Sequence, residues 1–457
     1  MKILFLQNNL INESLALCDL AGLLKFNDYS YLLLVEKEEK NFYQKIIKYQ
    51  PTLVIIPISI IAPIWGLDTG IKLKKILPST LLLAAGTYPT FFPEMIEKNP
   101  FDIILRGEAE QPILTLLSKL KNKQDITKIR NLWVREGNTI YKNPLGEFTN
   151  ISELPIPDRE IYFKYPVARN FPLKIFASGR GCPNNCNYCF NAGLKQWLPN
   201  IEKFTRKKPV PKLINEIKDV QKKKYLMTHI HFSDDLFTFD KEWVKEFCLQ
   251  YQKNFEIPFT INSKAEFLNE TLIKTLKKAG CRGIAIGIES GNEKLRMTAI
   301  NRPTTNKIII DACQLVKKHK LILTTFNMLN LPTEETKNLW ETIEINHQLK
   351  VDNPRATIFF SIPKTKIYEK FGSATKTTAA IEIIYHLFPL FVKYPRLAKK
   401  ILPFIGIKPL LPFWCLAGNI KNFYEKKFFK INLLKSINYY LRTGGPKNKT
   451  HVYSTLL

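Results

Sequence analysis

Ser178-Gly179-Arg180-Gly181-Cys182-Pro183-Asn184-Asn185-Cys186-Asn187-Tyr188-Cys189-Phe190-Asn191 is the most chemically specific run in the chain. Its three cysteines are spaced C-x3-C-x2-C, with an aromatic directly before the last. Gly181, Pro183 and the two asparagines suppress helix and favour a loop. A tight loop can aim three thiolates at one point, and thiolates suit iron–sulfur clusters or zinc. Three protein ligands leave one cluster iron open, and an open metal position is where chemistry happens. A structural zinc site would show two ligand pairs, yet the next histidine is His229 and the next cysteine Cys248. A disulfide framework needs a cysteine-dense secreted chain, and eight cysteines in 457 residues is ordinary usage. Three unrelated buried thiols are the plain alternative.

Outward from this loop, the flanking sequence alternates short apolar runs with amphipathic ones. KIFASG, HIHFSDD, FTINSK, GIAIGIES, LTTFNML and ATIFFSI read as strands. Runs such as VPKLINEIKDVQKKK and NETLIKTLKKAG read as helices between them. Toward the N-terminus KILFLQ, TLVIIPIS, STLLLAAG and FDIILRG repeat the pattern, as buried parallel strands do. They predict an α/β, Rossmann-like doubly wound sheet, whose ligands bind beyond the strand carboxyl ends. No G-x-G-x-x-G turn follows a strand, so the dinucleotide fingerprint is missing. The sequence divides into an N-terminal domain (1–125), a proline-punctuated connector (126–171), a core (172–372) and a C-terminal region (373–457). In the connector, Asp158 and Arg159 are expected to tie the chain down locally.

The C-x3-C-x-aromatic-C loop resembles the signature of radical S-adenosylmethionine (SAM) enzymes. HIHFSDDLFTFD (His229–Asp240), GCRGIAIGIESGNEKLR (Gly280–Arg296), NRPTT (Asn301–Thr305) and FNMLNLPTEET (Phe326–Thr336) resemble further segments of that superfamily, in its order. The resemblance implies a partial (β/α)6 barrel and a 4Fe-4S cluster on Cys182, Cys186 and Cys189. The open iron would chelate SAM, whose reductive cleavage yields a 5′-deoxyadenosyl radical that abstracts hydrogen. Ala84–Leu120, with Ala85-Gly86-Thr87-Tyr88-Pro89-Thr90 and GEAEQPILTLL, resembles the cobalamin-binding-type domain that precedes the core in one branch. The D-x-H-x-x-G segment is missing and the first histidine is His229. Cobalamin is therefore a candidate cofactor without a protein imidazole ligand, and a bare Rossmann-like scaffold is the alternative.

The same resemblance assigns SAM contacts. Tyr188 would lie near the adenine, or only pack the loop. Asp234 and Asp235 end a strand where a polar segment meets the SAM amino group; metal binding or helix capping are the alternatives. Ser263 and Lys264 follow the next strand, at ribose or carboxylate contacts. Glu289 would accept from the ribose hydroxyls, with Gly287 allowing close backbone approach; a salt bridge is its plain reading. Arg302 would pair with the SAM carboxylate, or form an ordinary ion pair. Asn330 stands where the family has a glycine, which puts the adenine-facing turn in question, and Ser361–Thr365 departs from the family's PYPGT. His229 and His231 share one strand face, as proton donors, substrate contacts or satisfied structural histidines.

Composition bounds the function classes. Apolar content of 45% and aromatic content of 12% support sizeable cores. The start MKILFLQNNL does not read as a signal peptide, and reduced thiols fit the cytoplasm. Net charge is +28, with 14 Lys and Arg against 2 Asp and Glu in residues 373–457. This basic, apolar region is expected to be a helical cap, with peripheral contact to the inner face of a membrane as a second reading; its prolines argue against a span. The leading function is hydrogen abstraction from an unactivated carbon of a small-molecule or lipid-like substrate, leading to methylation, cyclisation or rearrangement. An electron donor such as flavodoxin or ferredoxin would feed the cluster. Modification of transfer RNA is an alternative favoured by charge. It is disfavoured by an N-terminal domain with only Cys18, so nucleic acid is not the expected partner. A non-catalytic cluster-binding module is the remaining class.

Overall fold

The computed structural model describes residues 1–10, 13–198, 200–223, 225–373 and 378–402. The expectations placed on the tail beyond residue 402, a cap touching a membrane or amphipathic substrate, lie outside the described residues. Contacts divide the chain into two compact units, one of residues 1–171 with 194–226, the other of 172–193 with 227 onward.

The first unit is built on a seven-stranded sheet. Its strands are β1 (Lys2–Gln7), β2 (Ser30–Val35), β3 (Leu53–Pro57), β4 (Leu81–Ala85), β5 (Ile103–Leu105), β6 (Leu132–Glu136) and β7 (Thr139–Lys142). They lie in the order β2-β1-β3-β4-β5-β6-β7. The first five are parallel, whereas β6 and β7 join antiparallel. Ile3–Leu6 and Leu53–Ile56 are all buried, because helices cover both faces of a doubly wound sheet. Those helices are α1 (Leu15–Phe26), α2 (Phe42–Tyr49), α3 (Ile64–Ile76), α4 (Glu110–Lys121) and α5 (Val210–Lys222). Strand order reverses between β1 and β3, the switch point where ligands of such sheets bind. At that end Gly86 has φ +105°, and a Cβ there would stand 2.8 Å from the Ile58 carbonyl oxygen. Only glycine fits this turn.

Asp158 and Arg159 act at long range as well as locally, where Asp158 accepts the Glu160 N–H at 3.2 Å. Tyr31 donates to Asp158 at 2.5 Å and Arg159 pairs with Glu13 at 2.7 Å. The connector is thereby bolted to the first sheet.

The second unit holds the six strands expected from sequence: β8 (Leu173–Phe176), β9 (His229–Phe232), β10 (Phe259–Ser263), β11 (Cys281–Glu289), β12 (Ile322–Leu329) and β13 (Asn353–Ile358). All neighbours are parallel and sequential. Helices α6 (Lys241–Asn254), α7 (Glu270–Lys278), α8 (Asn306–Lys318) and α9 (Thr336–Gln348) cover the outer face. The side chains of Asp240, Asn269 and Thr305 cap the first three by accepting backbone N–H groups. Outward residues such as Ile261, Ile286 and Leu323 are buried. Outward Thr325 donates to Asn346 of α9 at 2.6 Å. Inward residues, among them Thr260, Asn262, Gly287, Thr324, Phe326 and Arg355, keep partial exposure. The sheet therefore curls around an interior that solvent reaches. Burial, and after it the Arg355 charge, depress the His231 pKa. Helices α10 (Ala379–Lys393) and α11 (Pro395–Ile401) close the far edge. Phe388, Phe391 and Ala398 there pack on Leu329 and Ile343. Among the described residues no helix is long and apolar enough to cross a membrane.

Candidate active site

The cysteine loop leaves the carboxyl end of β8, the end where barrels of this kind hold their chemistry. Cys186 is buried, and Cys182 and Cys189 are partly exposed. The loop is pinned by the Asn187 N–H, which donates to the Ile300 carbonyl at 3.1 Å, and by the Cys189 N–H to Cys186 carbonyl bond at 3.0 Å. Cys182 lies close enough to perturb Cys186, and both perturb Cys189. Burial pushes Cys186 up and Cys189 up to about 12, against the pull of Lys264 and Arg302 on Cys186. The bare loop thus keeps these groups as thiols, and ligation must displace their protons. No three His, Cys, Asp or Glu side chains among the described residues are grouped to ligate a single ion. Three cysteine thiols on one loop are nevertheless the donor chemistry of an iron–sulfur cluster.

Beside the loop lies a buried polar group. Arg302 donates through Nη1 to Glu289 Oε1 at 2.7 Å and through Nη2 to the Gly287 carbonyl at 2.7 Å. The Tyr188 hydroxyl donates to the same Glu289 oxygen at 3.2 Å. Burial works to lower the Arg302 pKa, but Glu289 overrides it and holds the guanidinium charged. Burial pushes the Glu289 carboxyl up, opposed by Arg302 and Tyr188; we read the couple as an ion pair. Tyr188 packs against an apolar cluster that includes Leu295, Met328, Leu331 and Phe359. Glu289 ends β11 at φ +66°, a strained position for a side chain that functional sites retain. Arg302 Nε is buried and without a partner, so this cluster keeps one donor unspent.

The other sequence-assigned residues are placed separately. Asp234 is buried and accepts from the Ser178 N–H at 2.9 Å and the Ser178 hydroxyl at 2.5 Å. Asp235 is exposed and accepts from Asn191 at 2.8 Å; desolvation nonetheless raises its pKa, as for a carboxylate in a recess. Ser263 is buried against Thr238, hydroxyl to hydroxyl at 2.6 Å. Lys264 reaches the cysteine loop, donating to Asn184 at 2.9 Å, and pairs with Glu266 at 3.0 Å. Asn330 adopts φ +71°, the left-handed conformation that asparagine tolerates. The turn therefore survives the loss of the family's glycine.

Three residues escaped the sequence reading. Arg296 is fully buried and donates to Ser290, Thr304 and Asn306; the Arg302 N–H in turn donates to the Arg296 carbonyl at 2.9 Å. Asn191 holds Asp235. Glu334 accepts the Asn330 and Leu331 N–H groups on Oε2, while Oε1 is buried and unpartnered. The only sequence signal for Glu334 was its place in the strand-end segment.

In the first unit, GEAE serves the scaffold. Glu108 accepts from Arg206 and from the Thr149 N–H, and Glu110 from the Thr149 hydroxyl. At the switch-point end Thr87 accepts the Ile60 N–H at 2.9 Å, and Thr90 accepts the Gly107 N–H at 3.0 Å. Ile61 and Ile64 are exposed there.

Residues 177–345 match the radical SAM superfamily. An uncharacterized methyltransferase of Pyrococcus horikoshii is 28% identical over 330 residues, 70% of either chain. The radical S-adenosylmethionine methyltransferase TsrM of Kitasatospora setae, solved with tryptophan substrate and a SAM analogue, superposes with TM-score 0.66 at 13% identity, over 84% of this chain and 76% of its own. The cobalamin-dependent S-adenosylmethionine radical enzyme OxsB, solved with aqua-cobalamin and SAM, gives TM-score 0.63 at 17% identity, over 86% of this chain and 56% of its own. With its cysteine loop and its six parallel strands, the chain carries a radical SAM domain over residues 177–345, and with its doubly wound N-terminal unit it shares the fold of these cobalamin-dependent radical SAM enzymes.

Proposed function

We propose that this enzyme holds a 4Fe-4S cluster on Cys182, Cys186 and Cys189 and uses it to methylate an unactivated carbon of a small or lipid-like substrate, with cobalamin in the N-terminal unit. The observation that carries the reading is the loop that presents Cys182, Cys186 and Cys189 beside the buried Tyr188–Glu289–Arg302 cluster. The cluster and SAM, when bound, supply a reductive cleavage that starts radical chemistry, and cobalamin supplies methyl transfer.

The chain's own residues set the conditions. Lys264 and Arg302 place positive charge near Cys186 and favour its thiolate form. Arg302 holds Glu289 ionised, and that carboxylate is a ready acceptor for sugar hydroxyls. The unspent Nε of Arg302 can donate to a carboxylate. Asp235, fixed by Asn191 in its recess, suits an ammonium group. Tyr188 walls the pocket and keeps water from the loop. Exposed Ile61 and Ile64 at the switch point offer an apolar ledge for a corrin, and no histidine precedes residue 229 to ligate its cobalt. An electron donor of the flavodoxin or ferredoxin kind completes the reaction.

The test is anaerobic incubation of the reconstituted protein with SAM and dithionite, with and without methylcobalamin. Formation of 5′-deoxyadenosine supports the radical reading, and cobalamin-dependent S-adenosylhomocysteine supports methyl transfer. A protein with a full cluster that leaves SAM intact argues against the reading. Cyclisation or rearrangement gives 5′-deoxyadenosine without S-adenosylhomocysteine.

A further inference from the structure

Asn184, inside the cysteine loop, bonds the Cys182 sulfur and a buried lysine at once. Its Nδ2 donates to Cys182 Sγ at 3.4 Å, and its Oδ1 accepts from Lys264 Nζ at 2.9 Å. An ammonium group donates and never accepts, so the amide oxygen must face Lys264 and the NH2 must face the sulfur. Lys264 follows β10 and is buried. It is held in turn by Glu266 at 3.0 Å, and Glu266 accepts from the Thr304 hydroxyl at 3.3 Å. The chain Thr304–Glu266–Lys264–Asn184 therefore sets which edge of the amide meets Cys182. Lys264 lies 80 residues from Asn184, so the orientation is imposed by the barrel and not by the loop's own sequence. The loop backbone is pinned separately, through the Asn187 and Cys189 N–H groups.

We propose that Asn184, oriented by Lys264, is a positioning residue that raises the reduction potential of the cluster by donating a hydrogen bond to the Cys182 sulfur. The proposal rests on the cluster reading above. A ligating cysteine is a thiolate, a stronger acceptor than the thiol. On reduction the cluster gains one electron and the negative charge on its sulfurs grows, so a donor at a sulfur favours the reduced state. Hydrogen bonds of this kind are among the means by which a protein sets such potentials. With the amide reversed, its oxygen would face the thiolate and the effect would change sign. Lys264 thus decides the direction of the effect that Asn184 exerts.

The experiment is a redox titration of the full chain, cluster-loaded and free of SAM. Dithionite is the electron source, and electron paramagnetic resonance reads the reduced cluster. Asn184→Ala should shift the equilibrium toward the oxidised cluster by roughly tenfold, or about 59 mV for one electron. Asn184→Asp, which keeps the size but offers the sulfur an oxygen, should shift it at least as far in the same direction. Lys264→Met should also lower the potential, and Lys264→Arg should restore most of it. Both residues act through one contact, so Asn184→Ala combined with Lys264→Met should fall short of the sum of the two shifts. A residue that merely shaped the loop would affect iron content and leave the potential alone. Three results would overturn the proposal: an unchanged equilibrium in both Asn184 variants, additive shifts in the double variant, or loss of iron from both Asn184 variants. Wild-type protein that takes up no cluster would instead strike the reading beneath it.

Discussion

Replacing Gly287 by alanine isolates the Glu289–Arg302 pair without touching either member. Gly287 sits on β11 without a positive φ, so alanine is allowed by the backbone. A Cβ there would stand 2.3 Å from Glu289 Oε1 and 3.0 Å from Arg302 Nη1. One of the two groups must move. Both are held in a buried site, with side-chain exposures of 9% and 5%, so movement breaks a charge-assisted hydrogen bond worth about 1.5–3 kcal/mol. For a unit of this size that lowers the melting temperature of the barrel by roughly 3–12 °C. The assay is thermal unfolding of Gly287→Ala, Glu289→Ala and the double variant, with SAM affinity measured alongside. In the Glu289→Ala background the 2.3 Å clash is gone and only the 3.0 Å approach to Arg302 Nη1 remains, so the alanine at 287 should cost clearly less. Equal penalties in both backgrounds would show that Gly287 acts through something other than the pair, and the site described above would be wrong at its centre.

Glu334 should make stability depend on pH. Burial raises its carboxyl to about 7 from the ordinary 4.5. Between those values the folded protein keeps a proton that the unfolded chain releases, so its contribution to stability falls as pH rises. Glu334→Gln should match wild type near pH 4.5 and gain roughly 1–3 kcal/mol on it by pH 8; a pH-independent difference would refute this. His229 and His231 are both depressed to about 4, burial being the main cause. Their stabilising contribution is therefore full above about 6.5 and lost as pH falls toward 4, and 15N spectra at pH 5.5 should show two neutral rings. Cobalamin, if it binds, should show no nitrogen splitting from protein in the electron paramagnetic resonance of its cob(II)alamin form, because residues 1–228 contain no histidine. Such splitting would contradict the reading of the N-terminal unit.

Patterns that are local in sequence were legible, and those that depend on register were not. The six barrel strands announce themselves as β-branched apolar runs, each followed by a polar strand end. The cysteine loop is a contiguous motif. Ser30–Val35 was missed as a strand because it lies at the sheet edge with only Leu33–Val35 fully buried, next to the charged Glu36–Lys40. The β6–β7 hairpin hid in the connector for a similar reason. Its outer strand, Thr139–Lys142, is a short, mostly exposed edge with no apolar signature. The candidate site shows the same division. Glu289, Arg302 and Tyr188 could each be singled out, but not their convergence on one carboxylate oxygen, with Tyr188 lying 101 residues from Glu289 in sequence. That His231 and Asn262 share the inner face follows only from strand register. Asp158 and Arg159 look local in the chain, yet they reach Tyr31 and Glu13.

The measurement that tests the central claim most directly is iron content and electron paramagnetic resonance of the anaerobically reconstituted protein, wild type against the variant with Cys182, Cys186 and Cys189 all changed to alanine. Wild type should hold about four irons per chain and, once reduced, give a cluster signal that shifts when SAM is added. The triple variant should have neither iron nor signal. Iron retained in that variant at the wild-type level, or a wild-type cluster signal indifferent to SAM, would contradict the account.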